Sequence, residues 1–112
     1  MAMKVVEKDR IVSGMLHDEY NRCLEMVAEL ERAASMLPKG SLQQRKKHYK
    51  GSEYYYYFLK YREGGQSISK HVAEKDVESV KEGVALRKKY EQQIKGFKSR
   101  MAYLNQILGA ST

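Results

Sequence analysis

From Val12 onward the apolar residues Val12, Leu16, Tyr20, Cys23, Val27, Leu30, Ala34 and Leu37 recur at steps of 4, 4, 3, 4, 3, 4 and 3. Such steps trace one stripe along an α-helix, long enough to support coiled-coil-like pairing. Asp18, Glu19, Glu25, Glu29, Glu31 and Arg32 fall between them as the solvent side, and Pro38 cannot continue the helix. A helix over about residues 9–37, ending near Met36 or Leu37, is predicted. Near the other end Leu86, Tyr90, Ile94, Phe97, Met101, Leu104 and Leu108 recur at steps of 4, 4, 3, 4, 3 and 4. This predicts a second helix over about 74–108, opened by Glu74, Asp76 and Glu78 at the positive end of its dipole and closed by Gly109. Gly83 and Gly96 each weaken that helix by about 1 kcal/mol relative to alanine, which packing has to offset.

The segment between, about 39–73, lacks the helical period. Gly40, Gly51 and the pair Gly64 and Gly65 punctuate runs rich in tyrosine, isoleucine and valine, a strand composition. Gly64 and Gly65 suit a tight hairpin turn needing positive φ. Three antiparallel strands are expected, at about Ser41–Tyr49, Glu53–Arg62 and Gln66–Val72. Each helix has one apolar stripe to bury, so the two pair most simply as an antiparallel hairpin. The expected fold is α+β: two long antiparallel helices, a helical hairpin, with a small three-stranded antiparallel sheet inserted between them. Residues 1–112 read as a single domain.

Charge changes the picture when it is counted by segment. Residues 1–38 carry 5 basic and 7 acidic side chains, residues 76–112 carry 7 and 4, and residues 39–75 carry 9 and 3. The insert therefore holds a net of +6 out of the chain's +7. Concentrated positive charge on a small platform attracts anions, and phosphate backbones are the commonest. Arg45, Lys46, Lys47 and Lys50 equally suit a solvated sheet edge that resists pairing with other chains.

The tyrosines fall in the same segment. Alternation along a strand puts Tyr54, Tyr56 and Phe58 on one face and Tyr55, Tyr57, Leu59 and Tyr61 on the other, so both faces are aromatic. One face must pack on the helices. The other is left with rings and hydroxyls beside Lys60 and Arg62, a mixture that suits stacking on bases and contact with phosphates. The alternative is a small sheet core with hydroxyls at the water boundary.

Other classes are disfavoured by what the sequence lacks. No stretch approaches the ~20 apolar residues of a membrane span. Residues 1–10 are too charged for a secretory signal. A single cysteine, Cys23, precludes an internal disulfide and suits a reducing cytoplasm. His17, His48, His71 and Cys23 have no zinc-ligand spacing, so no metal or other cofactor is expected. Without a nucleophile motif, a phosphate-binding glycine loop or a dinucleotide fingerprint, an enzyme is not expected either. Arg87 and Glu91 are four apart and suited to pair along the second helix.

The run Gly40-Ser41-Leu42, a basic stretch, Gly51, Tyr54 to Tyr57, then Tyr61-Arg62-Glu63-Gly64-Gly65 and a helix with Arg87 and Glu91 resembles a family of small bacterial and archaeal proteins. Many of these are carried by mobile elements, and the family has no assigned activity. The resemblance covers roughly Gly40 to Ile94. Many relatives place cysteines between the first strand and the tyrosine run, where this chain has His48, Tyr49 and Lys50. In architecture, three strands followed by a helix also resemble the arm-type DNA-binding domains of phage and transposon integrases. That resemblance implies Arg45, Lys47, Tyr55 and Tyr57 on or near a surface laid in the major groove, with Lys60, Arg62 and Lys70 at phosphates.

The expected function is that of a small, basic nucleic-acid-binding protein of a phage or mobile element. Its site would comprise Arg45, Lys46, Lys47, Lys50, Tyr55, Tyr57, Lys60, Arg62 and Lys70, its ligand duplex DNA in preference to RNA. The alternative is a protein-interaction module, such as a phage-encoded inhibitor of a CRISPR-type defence nuclease. A homodimer is expected, because a two-helix hairpin leaves apolar edges that a second copy can cover.

Overall fold

The computed structural model describes residues 9–109. Their elements are α1 (Arg10–Ser35), β1 (Ser41–Tyr49), β2 (Ser52–Glu63), β3 (Gln66–Val72), a 3₁₀ turn (Glu74–Asp76) and α2 (Val77–Gly109). The class is α+β, with an antiparallel sheet in the order β1-β2-β3 lying between the helices in sequence. By its contacts the chain divides into two compact units. One comprises residues up to Ala33 together with those from Tyr90 onward; the other is Ala34–Lys89.

Asp9 starts α1. Its carboxylate accepts hydrogen bonds from the backbone N–H groups of Ile11 (3.0 Å) and Val12 (3.1 Å), satisfying donors that a helix start leaves open. In the helical unit the expected stripe is buried most fully at Cys23, Val27 and Leu30 of α1 and at Leu104 of α2. Glu19 accepts two hydrogen bonds from Arg22, at 3.1 and 3.0 Å, and one from Arg100 at 3.1 Å, while Lys98 lies 3.3 Å from Glu31.

The sheet unit is built on Leu59, Val72 and Val84, with Leu42, Tyr57, Tyr61, Val77 and Val80 packed around them. Val77, Val80 and Val84 form the buried side of α2 here. Leu86, expected on the stripe, is 38% exposed instead, because it stands two residues, about 200° of helical turn, from Val84. α1 stops at Ser35, slightly before the expected end, since Pro38 disfavours helical geometry at the preceding residue. Arg87 then donates from Nη1 to the Leu37 carbonyl at 2.7 Å, tying the chain leaving α1 to α2.

Two glycines are required by space. A Cβ at Gly40, where φ is 108°, would overlap the Lys60 carbonyl and lie 2.8 Å from Tyr61 Cβ. A Cβ at Gly83 would lie 2.8 Å from both Cδ and Cγ of Pro38, so the helix-weakening glycine admits the proline ring. Gly96 has nothing within 4 Å of such an atom. Replacing Gly96 by alanine is therefore expected to raise unfolding free energy by up to about 1 kcal/mol, whereas Gly83→Ala lowers it despite the same gain in helix propensity. Chemical denaturation of the two variants checks this, and equal stabilisation by both would refute the packing role of Gly83.

The hydrogen bonds from Arg22, with the charges of Arg22 and Arg100, hold the Glu19 carboxyl below its ordinary value of 4.5. A depressed carboxylate stabilises the fold fully above its unfolded pKa and loses that effect as pH falls through the folded one. The stability difference between wild type and Glu19→Gln is therefore expected to be present at neutral pH and to shrink below pH 4.5. A gap independent of pH would show that the ion pairs contribute nothing.

Candidate nucleic-acid interface

The geometry of the sheet follows from two turns. Lys50 (φ 49°) and Gly51 (φ 78°) join β1 to β2, and Gly64 (φ 57°) and Gly65 (φ 79°) join β2 to β3. Two consecutive residues at positive φ are what a two-residue type I′ hairpin demands, and its twist matches that of the strands it joins. The first turn pairs Tyr49 with Ser52 and, strand inward, Lys47 with Tyr54, Arg45 with Tyr56 and Gln43 with Phe58. The second pairs Arg62 with Ser67, Lys60 with Ser69 and Phe58 with His71. Partners in an antiparallel register share a face.

One face, called the open face here, thus carries Arg45, Lys47, Tyr49, Tyr54, Tyr56, Phe58, Lys60, Arg62 and His71, with the small polar residues Ser41, Gln43, Ser52, Ser67 and Ser69. Its four cations stand with no carboxylate on the same face. The opposite face carries Lys46 and Lys70 against Glu53 and Glu63, so its formal charge cancels. That face contributes Leu42, Tyr57, Leu59, Tyr61 and Val72 to the core cluster. The insert's excess charge is therefore sorted to the side away from the core.

The nine expected site residues divide accordingly. Arg45, Lys47, Lys60 and Arg62 come together on the open face. Lys46, Tyr55, Tyr57 and Lys70 lie on the opposite face, and Lys50 occupies the turn. Lys46 is committed to Glu53 at 2.8 Å, and His48 Nδ1 is 3.9 Å from the same carboxylate. Tyr57 packs against the core and its hydroxyl accepts a hydrogen bond from Gln44 at 3.3 Å. Tyr55 is 58% exposed but points away from Arg45 and Lys47, its expected companions. Lys70 borders a cleft with Leu37, Leu59, Tyr61 and Arg87.

Residues outside that expected set complete the open face. Phe58 is only 7% exposed although it lies outside the core cluster. The guanidinium of Arg45 lies over its ring, 4.7 Å from the centroid, and the Tyr56 ring is 6.2 Å away. Tyr54 and Tyr49 continue the aromatic row toward the turn, 50% and 56% exposed. Together with Tyr56, Lys46, Lys47 and His71 they line a shallow concavity. At the other end Arg62 donates to the Gly65 carbonyl at 3.1 Å, which fixes its guanidinium beside the turn. Among the described residues neither Lys47 nor Lys60 has an ion-pair partner. The alternation of tyrosines in the sequence signals Tyr54, Tyr56 and Phe58 as one set; only the register reveals which cations join them.

A two-helix α+β chain with one open, carboxylate-free and aromatic sheet face is the class that this structure defines. The chain belongs to the DUF6788 family, whose model, a domain of unknown function, matches residues 16–82. No curated protein and no solved structure matches the chain. Among the described residues no helix is long and apolar enough to cross a membrane, and no group of three His, Cys, Asp or Glu side chains is placed to hold a metal ion.

The cation–π contact generates a test of the face itself. Arg45→Ala uncovers Phe58 and is expected to lower stability by about 0.5–2 kcal/mol, whereas Lys47→Ala, on the same strand and face, changes it by less than about 0.5 kcal/mol. Equal effects in denaturant titration would show that the stacked guanidinium contributes nothing.

Proposed function

We propose that this protein binds nucleic acid through the open face of its sheet, with Arg45, Lys47, Lys60 and Arg62 at the phosphate backbone. The observation that carries the reading is the segregation of charge: four cations and no carboxylate on one face, balanced charge on the other. A field of one sign over an open surface attracts polyanions, and neutralising phosphates releases their counterions. Edge protection accounts for lysines on β1, but Lys60 and Arg62 lie on the central strand, where no edge needs protecting. The two helices pair as an antiparallel hairpin in this proposal. Its support is that Glu31 of α1 meets Lys98 while the earlier Glu19 meets the later Arg100.

Fluorescence anisotropy with labelled oligonucleotides at several salt concentrations tests the function. Two variants remove equal charge from opposite faces: Lys47→Gln on the open face and Lys70→Gln on the other. The open-face variant is expected to bind more weakly and to lower the slope of log affinity against log salt by about 0.7–0.9 for each phosphate it no longer neutralises. The other variant should bind like wild type. No binding of any oligonucleotide at low salt, or equal weakening in both variants, would sink the proposal and turn attention to a protein partner.

A further inference from the structure

The open face is not uniform along its length, and its layout bears on which form of nucleic acid it takes. Toward the Lys50-Gly51 turn it presents rings, Tyr49, Tyr54 and Tyr56, flanked by Arg45 and Lys47 on β1. Toward the Gly64-Gly65 turn it presents Lys60 and Arg62 flanked by the hydroxyls of Ser41, Ser67 and Ser69. One half is suited to flat apolar groups and the other to anionic oxygens. Resting on the nucleic-acid reading above, we infer that the ligand is an unpaired strand. Its bases stack on Tyr54, Tyr56 and the Arg45 guanidinium, and its phosphates lie at Lys60 and Arg62.

Three features favour an unpaired strand over a duplex. A duplex exposes base edges and hides base planes, whereas an aromatic ring offers a plane and few hydrogen bonds. Arg45, the open-face arginine nearest the rings, has its guanidinium over Phe58, 4.7 Å from the ring centroid. A guanidinium engaged with a ring in that way is not extended as a fork toward a base edge. Spacing adds the third reason. Tyr54 and Tyr56 are alternate residues of one strand, so their Cα atoms are separated by about 6.7 Å. Bases in a duplex follow one another every ~3.4 Å along each strand, and only a strand whose bases are splayed apart can place one on each ring.

The chain contains 9 tyrosines and no tryptophan, so intrinsic tyrosine fluorescence reads ring stacking directly. Full-length protein is titrated with a single-stranded DNA, a single-stranded RNA, the duplex of that DNA sequence, and an abasic oligomer of equal phosphate number. Either unpaired strand is expected to bind at least tenfold more tightly than duplex or abasic oligomer and to quench tyrosine emission; the tighter of the two identifies the sugar. Tyr54→Ala and Tyr56→Ala should each weaken unpaired-strand binding between about 5-fold and 100-fold, while Tyr55→Ala, on the opposite face, leaves it within twofold. Circular dichroism of each variant excludes a folding defect, and Tyr56→Phe, which retains the ring, should keep affinity near wild type. If duplex or abasic oligomer binds as tightly as the unpaired strand, the inference falls while the nucleic-acid function stands. If no oligomer binds at low salt, both fall.

Discussion

The arrangement of the sheet depends on a turn of two residues. Lys50 and Gly51 both take positive φ, at 49° and 78°, and that geometry admits no third residue between Tyr49 and Ser52. A lysine at φ 49° is strained relative to glycine or asparagine, so the turn is held by the strands it joins and not by its own preference. Side chains alternate with a period of two, and moving a strand by one residue exchanges its faces. With two residues in the turn, Arg45 and Lys47 stand beside Tyr56 and Tyr54. With three, they would stand beside Tyr57 and Tyr55, on the face that carries Leu59 and packs into the core. The sorting of charge and the stacking of Arg45 on Phe58 both follow from that turn.

The same constraint marks how far the sequence is legible. The spacing of apolar residues announces both helices and most of their buried positions, because a stripe of three and four has only one physical reading. Gly64 and Gly65 announce the second hairpin, and its register, from Glu63 opposite Gln66, follows from a loop of two. Tyr55 and Tyr57 are expected beside Arg45 only through the arm-type resemblance, and starting β2 at Glu53, which leaves Lys50–Ser52 as a three-residue loop, does not expose the mismatch. Ser52 is small and polar and reads equally as loop or strand, so composition does not decide the point. Asp9 as the cap of α1 is readable in principle, being an aspartate just ahead of the periodic segment. The seating of Pro38 on Gly83 is not, because residues 45 apart in the chain carry no local sign of meeting. Leu86 likewise fits the stripe of its own helix, and only the sheet's use of Val77, Val80 and Val84 turns it outward.

Charge sorting also separates two explanations that composition leaves level. Lysines that protect an edge are needed only on β1 and β3, on either face, and carboxylates serve as well. Lys46 beside Glu53 has that character, since the pair is exposed and nearly neutral. Arg45, Lys47, Lys60 and Arg62 differ from it in sharing one face across an edge strand and the central one. Like charges gathered on one face repel one another, so their placement works against stability and calls for some other account. A polyanionic partner supplies one, because it relieves the repulsion when it binds.

Phe58 shows how the face that would meet such a partner is tied to the fold that holds it. The sheet unit has a small core, with Leu59, Val72 and Val84 as its well-buried members. Fully burying side chains of that size contributes only about 1.5–3 kcal/mol each, so contacts elsewhere in the sheet matter. Phe58, on the far side from that core, is only 7% exposed, set on the central strand between Gln43 and His71 with Arg45 over its ring. The guanidinium shields an aromatic ring and is itself held against the sheet. A lysine in its place would shield less of the ring. The residue that covers Phe58 is therefore also one of the four cations gathered on the open face, so the charge of that face and the shielding of its ring rest on the same side chain.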